Sequence, residues 1–159
     1  NSVYATVARM LNNGPETEDI AQQVFIRIWK GAGNYEPSAR FTTWMFTILR
    51  NLVFNEVRRQ KRKPTTSADA MEEEGGMAVF LEPSQAPDEA LEHTELQHAV
   101  DAAIAALPEK ARLAVQLRRF ENMPYEEIAR ALDMTVPATK SLLFRSRNML
   151  KEALASFLS

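Results

Sequence analysis

Three features of the sequence predict an all-α chain, built as two small helical domains joined by a flexible acidic linker. Apolar residues recur at spacings of three and four near both ends of the chain. No alternating Val/Ile/Thr run of the kind a half-buried strand needs is present. Between the periodic stretches lies a segment with Pro64, Pro83 and Pro87, the pair Gly75 and Gly76, and no Lys or Arg. Low hydrophobicity with high net charge cannot offset ordering entropy, which marks this segment as a linker. The 159 residues suffice for one ordinary domain or two small ones.

The first element carries Val3, Val7, Met10 and Leu11 on one stripe and is broken at Asn13-Gly14-Pro15. A second helix follows, with Glu16, Glu18 and Asp19 at its positive end. Its apolar side combines Ile20, Val24 and Ile28 with Ala21, Phe25 and Trp29, and the whole of it is expected in the core. Gly31 to Arg40 reads as a loop, and a long helix runs from Phe41 to about Lys63, where Pro64 ends it. Trp44 is expected in the core. These elements define a first domain over 1–63, followed by a linker over 64–91.

The second domain, 92–159, opens on a helix with Leu96, Val100, Ile104 and Leu107, closed by Pro108. Leu113, Leu117 and Phe120 mark the next helix, and Tyr125 to Leu132 a short one with Ile128, Ala129 and Leu132 inward. Asp133-Met134-Thr135 makes a tight turn. The last helix runs from Val136 to about Phe157, with Val136, Leu143 and Leu150 facing inward.

Composition closes off several chemistries. With no Cys there is no disulfide, thiolate or Cys-based zinc site, and His93 and His98 leave little for a metal or a His-centred triad. No Gly-rich phosphate loop is present, so neither a cofactor nor catalysis is expected. No apolar run reaches the ~18–20 residues of a membrane span.

The formal charge of −2 argues against nucleic acid only until it is divided. Residues 1–63 hold ten basic and five acidic side chains, a net +5. Residues 64–96 hold nine acids and no base, and residues 97–159 nine bases and seven acids, a net +2. Five cations crowd into the six residues from Arg58 to Lys63, more than helix-dipole compensation alone would need. That density suits phosphate contact.

Residues 125–150 have the organisation of a helix-turn-helix, a short helix and tight turn before a longer basic helix. Its outward side offers Ala138, Thr139, Lys140, Ser141 and Phe144 to base edges, while Arg145 and Arg147 are placed for phosphates. An ordinary helical hairpin with a basic solvated face fits the same pattern.

The two halves together are more specific. Glu18 to Trp29, Phe41 to Asn51 and the Arg/Lys run resemble region 2 of sigma-70-family initiation factors. Leu107-Pro108, Tyr125 to Ala129 and Lys140 to Arg147 resemble region 4 of the same family. Two such domains with nothing but a short linker between them resemble the extracytoplasmic-function group. The head of region 2 looks incomplete, consistent with an internal start at Asn1.

The resemblance implies a cytoplasmic promoter-specificity subunit without catalytic activity. Asp19, Gln22, Gln23 and Arg27 would dock on the clamp coiled coil of the largest subunit of core RNA polymerase, with region 4 towards the flap. Tyr35, Ser38, Ala39, Arg40 and Phe41 would surround a base flipped from the minus-ten element, an extrusion that a shaped pocket must compensate. Asn51 would contact the neighbouring base, and Arg58, Arg59 and Arg62 the backbone. Ala138, Thr139, Lys140, Ser141, Phe144, Arg145 and Arg147 would meet the minus-thirty-five element. Leu142 and Thr47 stand where the family often has basic residues. The acidic linker would thread a basic polymerase channel, and an anti-sigma factor would cover both domains. The residues alone also admit a one-component helix-turn-helix regulator, or a polymerase-binding adaptor that does not initiate.

Overall fold

Helix α1 (Ser2–Met10) buries Val3, Thr6, Val7 and Met10 along one stripe and stops where Asn12 and Asn13 turn left-handed, with φ of 54° and 55°. Asn tolerates that region better than most residues, so the reversal needs no glycine. The computed structural model describes residues 2–36, 40–62 and 87–158 of the chain. Ser38, Ala39, Lys63 and most of the expected linker lie outside the described residues.

Helix α2 (Thr17–Gly31) carries Glu18 and Asp19 in its first turn and buries Ile20, Ala21 and Val24. Phe25 and Trp29 do not join them: they are 42% and 84% exposed. The apolar side of α2 is wider than the surface that covers it. At ~100° per residue Phe25 lies roughly 140° and Trp29 roughly 180° around from Ile20. Helices α1 and α3 (Phe41–Arg62) pack on α2 from the Ile20 side only. A single 3-10 turn over Ala32–Asn34 leads out of α2.

Helix α3 buries Thr43, Phe46, Leu49, Leu52, Val53 and Val57, and it packs on both sides. One side meets α1 and α2; the other meets α6 (Tyr125–Leu132) of the second domain. Helix α4 (Pro87–Ala105) begins about five residues before the expected start at Glu92. It contributes Ile104 to the core, with Val100 partly buried and Leu96 exposed. Helix α5 (Glu109–Phe120) buries Ala111, Leu113, Ala114, Val115, Gln116 and Leu117, nearly all round. A helix buried on every side is central: α5 contacts α1 and α3 as well as α4, α6 and α7 (Val136–Ala153). Phe120, which marks this helix together with Leu113 and Leu117, is 39% exposed at its end.

The turn between α6 and α7 is built as the sequence predicts. Asp133 adopts the left-handed conformation (φ 54°, ψ 52°), and its N–H reaches the carbonyls of Ala129 and Arg130. The Thr135 hydroxyl caps α7 by accepting from the Ala138 N–H at 3.2 Å. Ala129 is buried where the two helices approach. Helix α7 breaks at Leu154, and α8 (Ala155–Leu158) is the last described element.

The two helical domains do not stand apart. One continuous core runs from Val3, Phe46 and Leu49 through Ile104, Leu113 and Leu117 to Ile128 and Leu143. No strand occurs among the described residues, and none of their helices is long and apolar enough to cross a membrane.

Candidate nucleic-acid interface

Helix α7 turns a basic and aromatic face outward. Lys140, Ser141, Phe144 and Arg145 line a shallow concavity of about 600 Å³, with Phe144 itself 65% exposed. The fixed turn at Asp133 and the cap at Thr135 set the direction in which this face points. Ala138 and Arg147 are exposed beside it. Thr139 is not on this face: it is fully buried, its hydroxyl donating to the Thr135 carbonyl at 2.9 Å. Being small and able to satisfy its hydroxyl on the preceding turn, it packs inward under the helix start.

Tyr125, the first residue of α6, organises the cations behind that face. The guanidinium of Arg118 lies 4.9 Å and the Lys140 ammonium 6.0 Å from its ring centroid. Arg147 donates to its hydroxyl at 3.2 Å, and that hydrogen bond holds the phenol below its ordinary pKa.

In the first domain Tyr35, Phe41 and Trp44 form an aromatic cluster, with ring centroids 5.3–5.9 Å apart. Trp44, expected in the core, is half-buried because its ring belongs to this cluster. A Cβ at Gly31 would come within 3.1 Å of it, so the bare backbone of the α2 terminus allows the approach. Arg40 and Phe41 are exposed at the start of α3, beside the undescribed Ser38 and Ala39.

Further along α3 the basic residues divide. Arg58 and Arg62 are exposed. Arg59 is held by two hydrogen bonds to Glu56 at 2.8 and 2.9 Å and lies 3.4 Å from Glu16. Glu56 is buried, and a buried carboxylate needs a hydrogen-bonded partner. Arg59 therefore serves the fold before any phosphate. Asn51 is exposed, and its Oδ1 accepts from Nε and Nη2 of Arg50 at 3.2 and 2.9 Å. On α2, Asp19, Gln22, Gln23 and Arg27 are all exposed, with Phe25, Ile26 and Trp29 uncovered beside them.

Residues the sequence did not single out join the two domains. Thr43 donates to the Glu127 carboxylate, and Arg50 Nη1 donates to the Ala131 carbonyl at 3.0 Å. Arg112 Nη1 donates to the Met10 carbonyl at 2.7 Å, and Arg9 lies 3.6 Å over the Phe120 ring. Burial lowers the pKa of both Arg9 and Arg112. Among the described residues, no group of three His, Cys, Asp or Glu side chains comes together as metal ligands would.

Residues 1–63 match the family model of Sigma-70 region 2, and residues 97–150 that of Sigma-70, region 4. The chain is 31% identical to the RNA polymerase sigma-H factor of Pseudomonas aeruginosa, over 99% of this chain and 83% of that protein. It is 32% identical to the ECF RNA polymerase sigma-E factor of Escherichia coli, over 92% and 78%. Against the ECF sigma factor SigW of Bacillus subtilis the identity is 28%, over 97% and 83%. Among solved structures, the sigma factor RpoE of Bartonella quintana, crystallised with the anti-sigma factor NepR, superposes with a TM-score of 0.70 at 21% identity, covering 97% of this chain and 90% of that one. CnrH, solved with the cytosolic domain of CnrY, gives 0.63 at 19%, covering 97% and 81%. With matching regions in the same order and relatives aligned along nearly its whole length, the chain belongs to the sigma-70 family of RNA polymerase sigma factors, in its extracytoplasmic-function (ECF) group.

Proposed function

We propose that this sigma factor works as a two-point promoter reader without chemistry of its own. Residues 1–63 bind core polymerase and open the minus-ten element, and residues 92–159 read the minus-thirty-five element. The observation that carries this reading is the outer face of α7, where Lys140, Ser141, Phe144 and Arg145 stand clear of the core on a helix fixed by a tight turn. A major groove admits one helix, and exposed side chains near its start reach base edges while cations hold phosphates.

The first domain supplies the other contacts. The cluster of Tyr35, Phe41 and Trp44 offers π-faces to an extruded base, and stacking of that kind offsets part of the unpairing cost. Asn51 offers an amide to the neighbouring base, and Arg58 and Arg62 offer charge to the strand. The exposed face of α2, with Asp19, Gln22, Gln23 and Arg27 flanked by Trp29, is the docking surface for polymerase. The Bartonella relative was crystallised with an anti-sigma factor, which supports control of this chain by a protein of that kind.

Run-off transcription with core polymerase on a promoter library tests the reading. Discrete start sites that depend on this chain are the expected result. A footprint on duplex DNA without polymerase, together with no transcript, would instead support a one-component regulator.

A further inference from the structure

Between the two domains lies a cleft of about 280 Å³ that gathers cations without their counter-charges. Arg50 and Arg58 of α3 and Lys110 of α5 line it, against the single acid Asp133. Among the described residues the ion pairs belong to Arg59, and none of these three cations makes one. A recess with this cationic excess and buried apolar walls, here Phe54 and Leu132, focuses its field on an anion inside.

The hydrogen-bonding groups are equally one-sided. Arg50 directs three N–H groups to neutral acceptors, two to Oδ1 of Asn51 and one to the Ala131 carbonyl. A guanidinium has five, so two stay open on a side chain already held in place. With Oδ1 engaged twice, Asn51 offers a ligand its two amide N–H donors. Asn55 and Arg58 follow at spacings of four and three, on the same side of α3. Neither side chain has a partner among the described residues. Asp133, exposed at the end of α6, is an acceptor, which suits a hydroxyl rather than an anion.

The ligand that matches this lining is small, organic and close to doubly charged. A phosphomonoester carries about −1.5 to −2 charges at pH 7. Bare phosphate would leave the apolar walls unused, whereas the hydroxyls of a sugar complement Asp133 and the amides. The volume lies at the lower edge of the ~300–1,000 Å³ typical of ligand pockets, so one ring and one phosphate suffice to fill it. We propose that the cleft binds a small sugar phosphate, up to a mononucleotide in size, whose phosphate is held by Arg58 of the first domain and Lys110 of the second. The site stands on the cleft itself. Its consequence for initiation rests on the promoter reading proposed above, because Asn51 and Arg58 cannot serve this ligand and the minus-ten strand together.

Isothermal titration calorimetry of the full chain at fixed ionic strength tests the site, with ribose 5-phosphate, AMP and GMP as probes. Inorganic phosphate and adenosine are the controls. At least one sugar phosphate should bind one-to-one with a submillimolar Kd, about tenfold or more tighter than either control. A preference for AMP or GMP over ribose 5-phosphate identifies the mononucleotide among these probes. Lys110→Glu and Asn55→Asp should each weaken the binding by about tenfold or more, as loss of a charged hydrogen bond requires. Both positions are exposed, and Lys110 lies in the first turn of α5, where an acid suits the helix dipole. The variants should therefore melt like the parent. Without ligand, Lys110→Glu should transcribe as the parent does. Saturating ligand should lower the run-off yield of the parent and leave that of Lys110→Glu unchanged.

No saturation by any sugar phosphate at about 1 mM would overturn the site. So would inorganic phosphate binding equally well, which means an adventitious ion only, or binding that both variants leave intact. A parent chain that binds the sugar phosphate, yet yields no transcript with polymerase in its absence, would overturn the proposed function instead.

Discussion

Arg112 bridges two main-chain carbonyls, donating from Nη1 to Met10 at 2.7 Å and from Nη2 to Leu107 at 3.3 Å. The first bond crosses between the domains; the second closes the end of α4 onto α5. Arg112→Ala leaves the Met10 carbonyl without this donor in a partly buried position. A loss of about 1–3 kcal/mol is expected in urea denaturation, and Arg112→Lys should restore less than half of it, because an ammonium lacks the planar fork.

The shared core predicts how the chain unfolds. Phe46 in α3 and Leu117 in α5 are both fully buried within one cluster. Phe46→Ala should cost about 3–5 kcal/mol and Leu117→Ala about 2–5. Each is expected to lower the midpoint of the same single transition, followed by circular dichroism and tryptophan fluorescence together. Two separated transitions would contradict a continuous core.

The turn before α7 depends on the backbone at Asp133. Asp133→Val should cost about 1–2 kcal/mol, since a β-branched side chain clashes in the left-handed region. Asp133→Asn should stay within about 0.5 kcal/mol of the parent. Thermal melts of the three chains distinguish these outcomes.

The α7 face makes a prediction about salt. Lys140→Ala and Arg145→Ala should each weaken polymerase-dependent binding to minus-thirty-five DNA. The variant that loses a phosphate contact should also lower the slope of log affinity against log salt by about one. Phe144→Ala should weaken binding with the slope unchanged.

Tyr125 supplies the pH dependence. Its phenol titrates below its ordinary value chiefly because Arg147 donates to the phenolate oxygen. Arg147→Ala should therefore move the Tyr125 titration upward towards about 10, read by ultraviolet difference absorbance. A depressed phenol adds stability above its unfolded pKa and loses that contribution as pH falls through the folded one. The Arg147–Tyr125 pair should thus add charge-linked stability only under alkaline conditions, and none at neutral pH.

Much of the fold was legible because helices announce themselves through period and punctuation. Asp133 was readable as a left-handed turn from its residue type, and Ile128, Ala129, Leu132 and Leu143 as core from their spacing. The width of a buried face was not readable. Phe25 and Trp29 sit at helical intervals from Ile20, yet no neighbouring helix reaches around α2 to cover them. Periodicity says which side of a helix is apolar, but how far burial extends depends on tertiary partners.

The candidate interface divided along the same line. Lys140, Ser141, Phe144 and Arg145 are outward as their register predicts. Thr139 fell inside because a hydroxyl satisfied on its own helix carries no polarity signal outward. Arg59 was read as free charge because its partner Glu56 is a buried acid, which sequence alone presents as one more surface carboxylate. The contact between α3 and α6 left no trace in the sequence. Thr43, Arg50 and Glu127 are polar residues on polar-looking faces, and nothing in a single chain pairs positions 84 apart.

The bonds that Arg50, Arg112 and Arg118 make to main-chain carbonyls, at Ala131, Met10, Leu107 and Met123, specify no side chain on the accepting side. Any residue type supplies the same carbonyl. Those four positions can therefore diverge in evolution as far as local packing permits without dissolving the contacts, whereas the three arginines cannot. Within the group, the arginine side of each pair should be the slower to change.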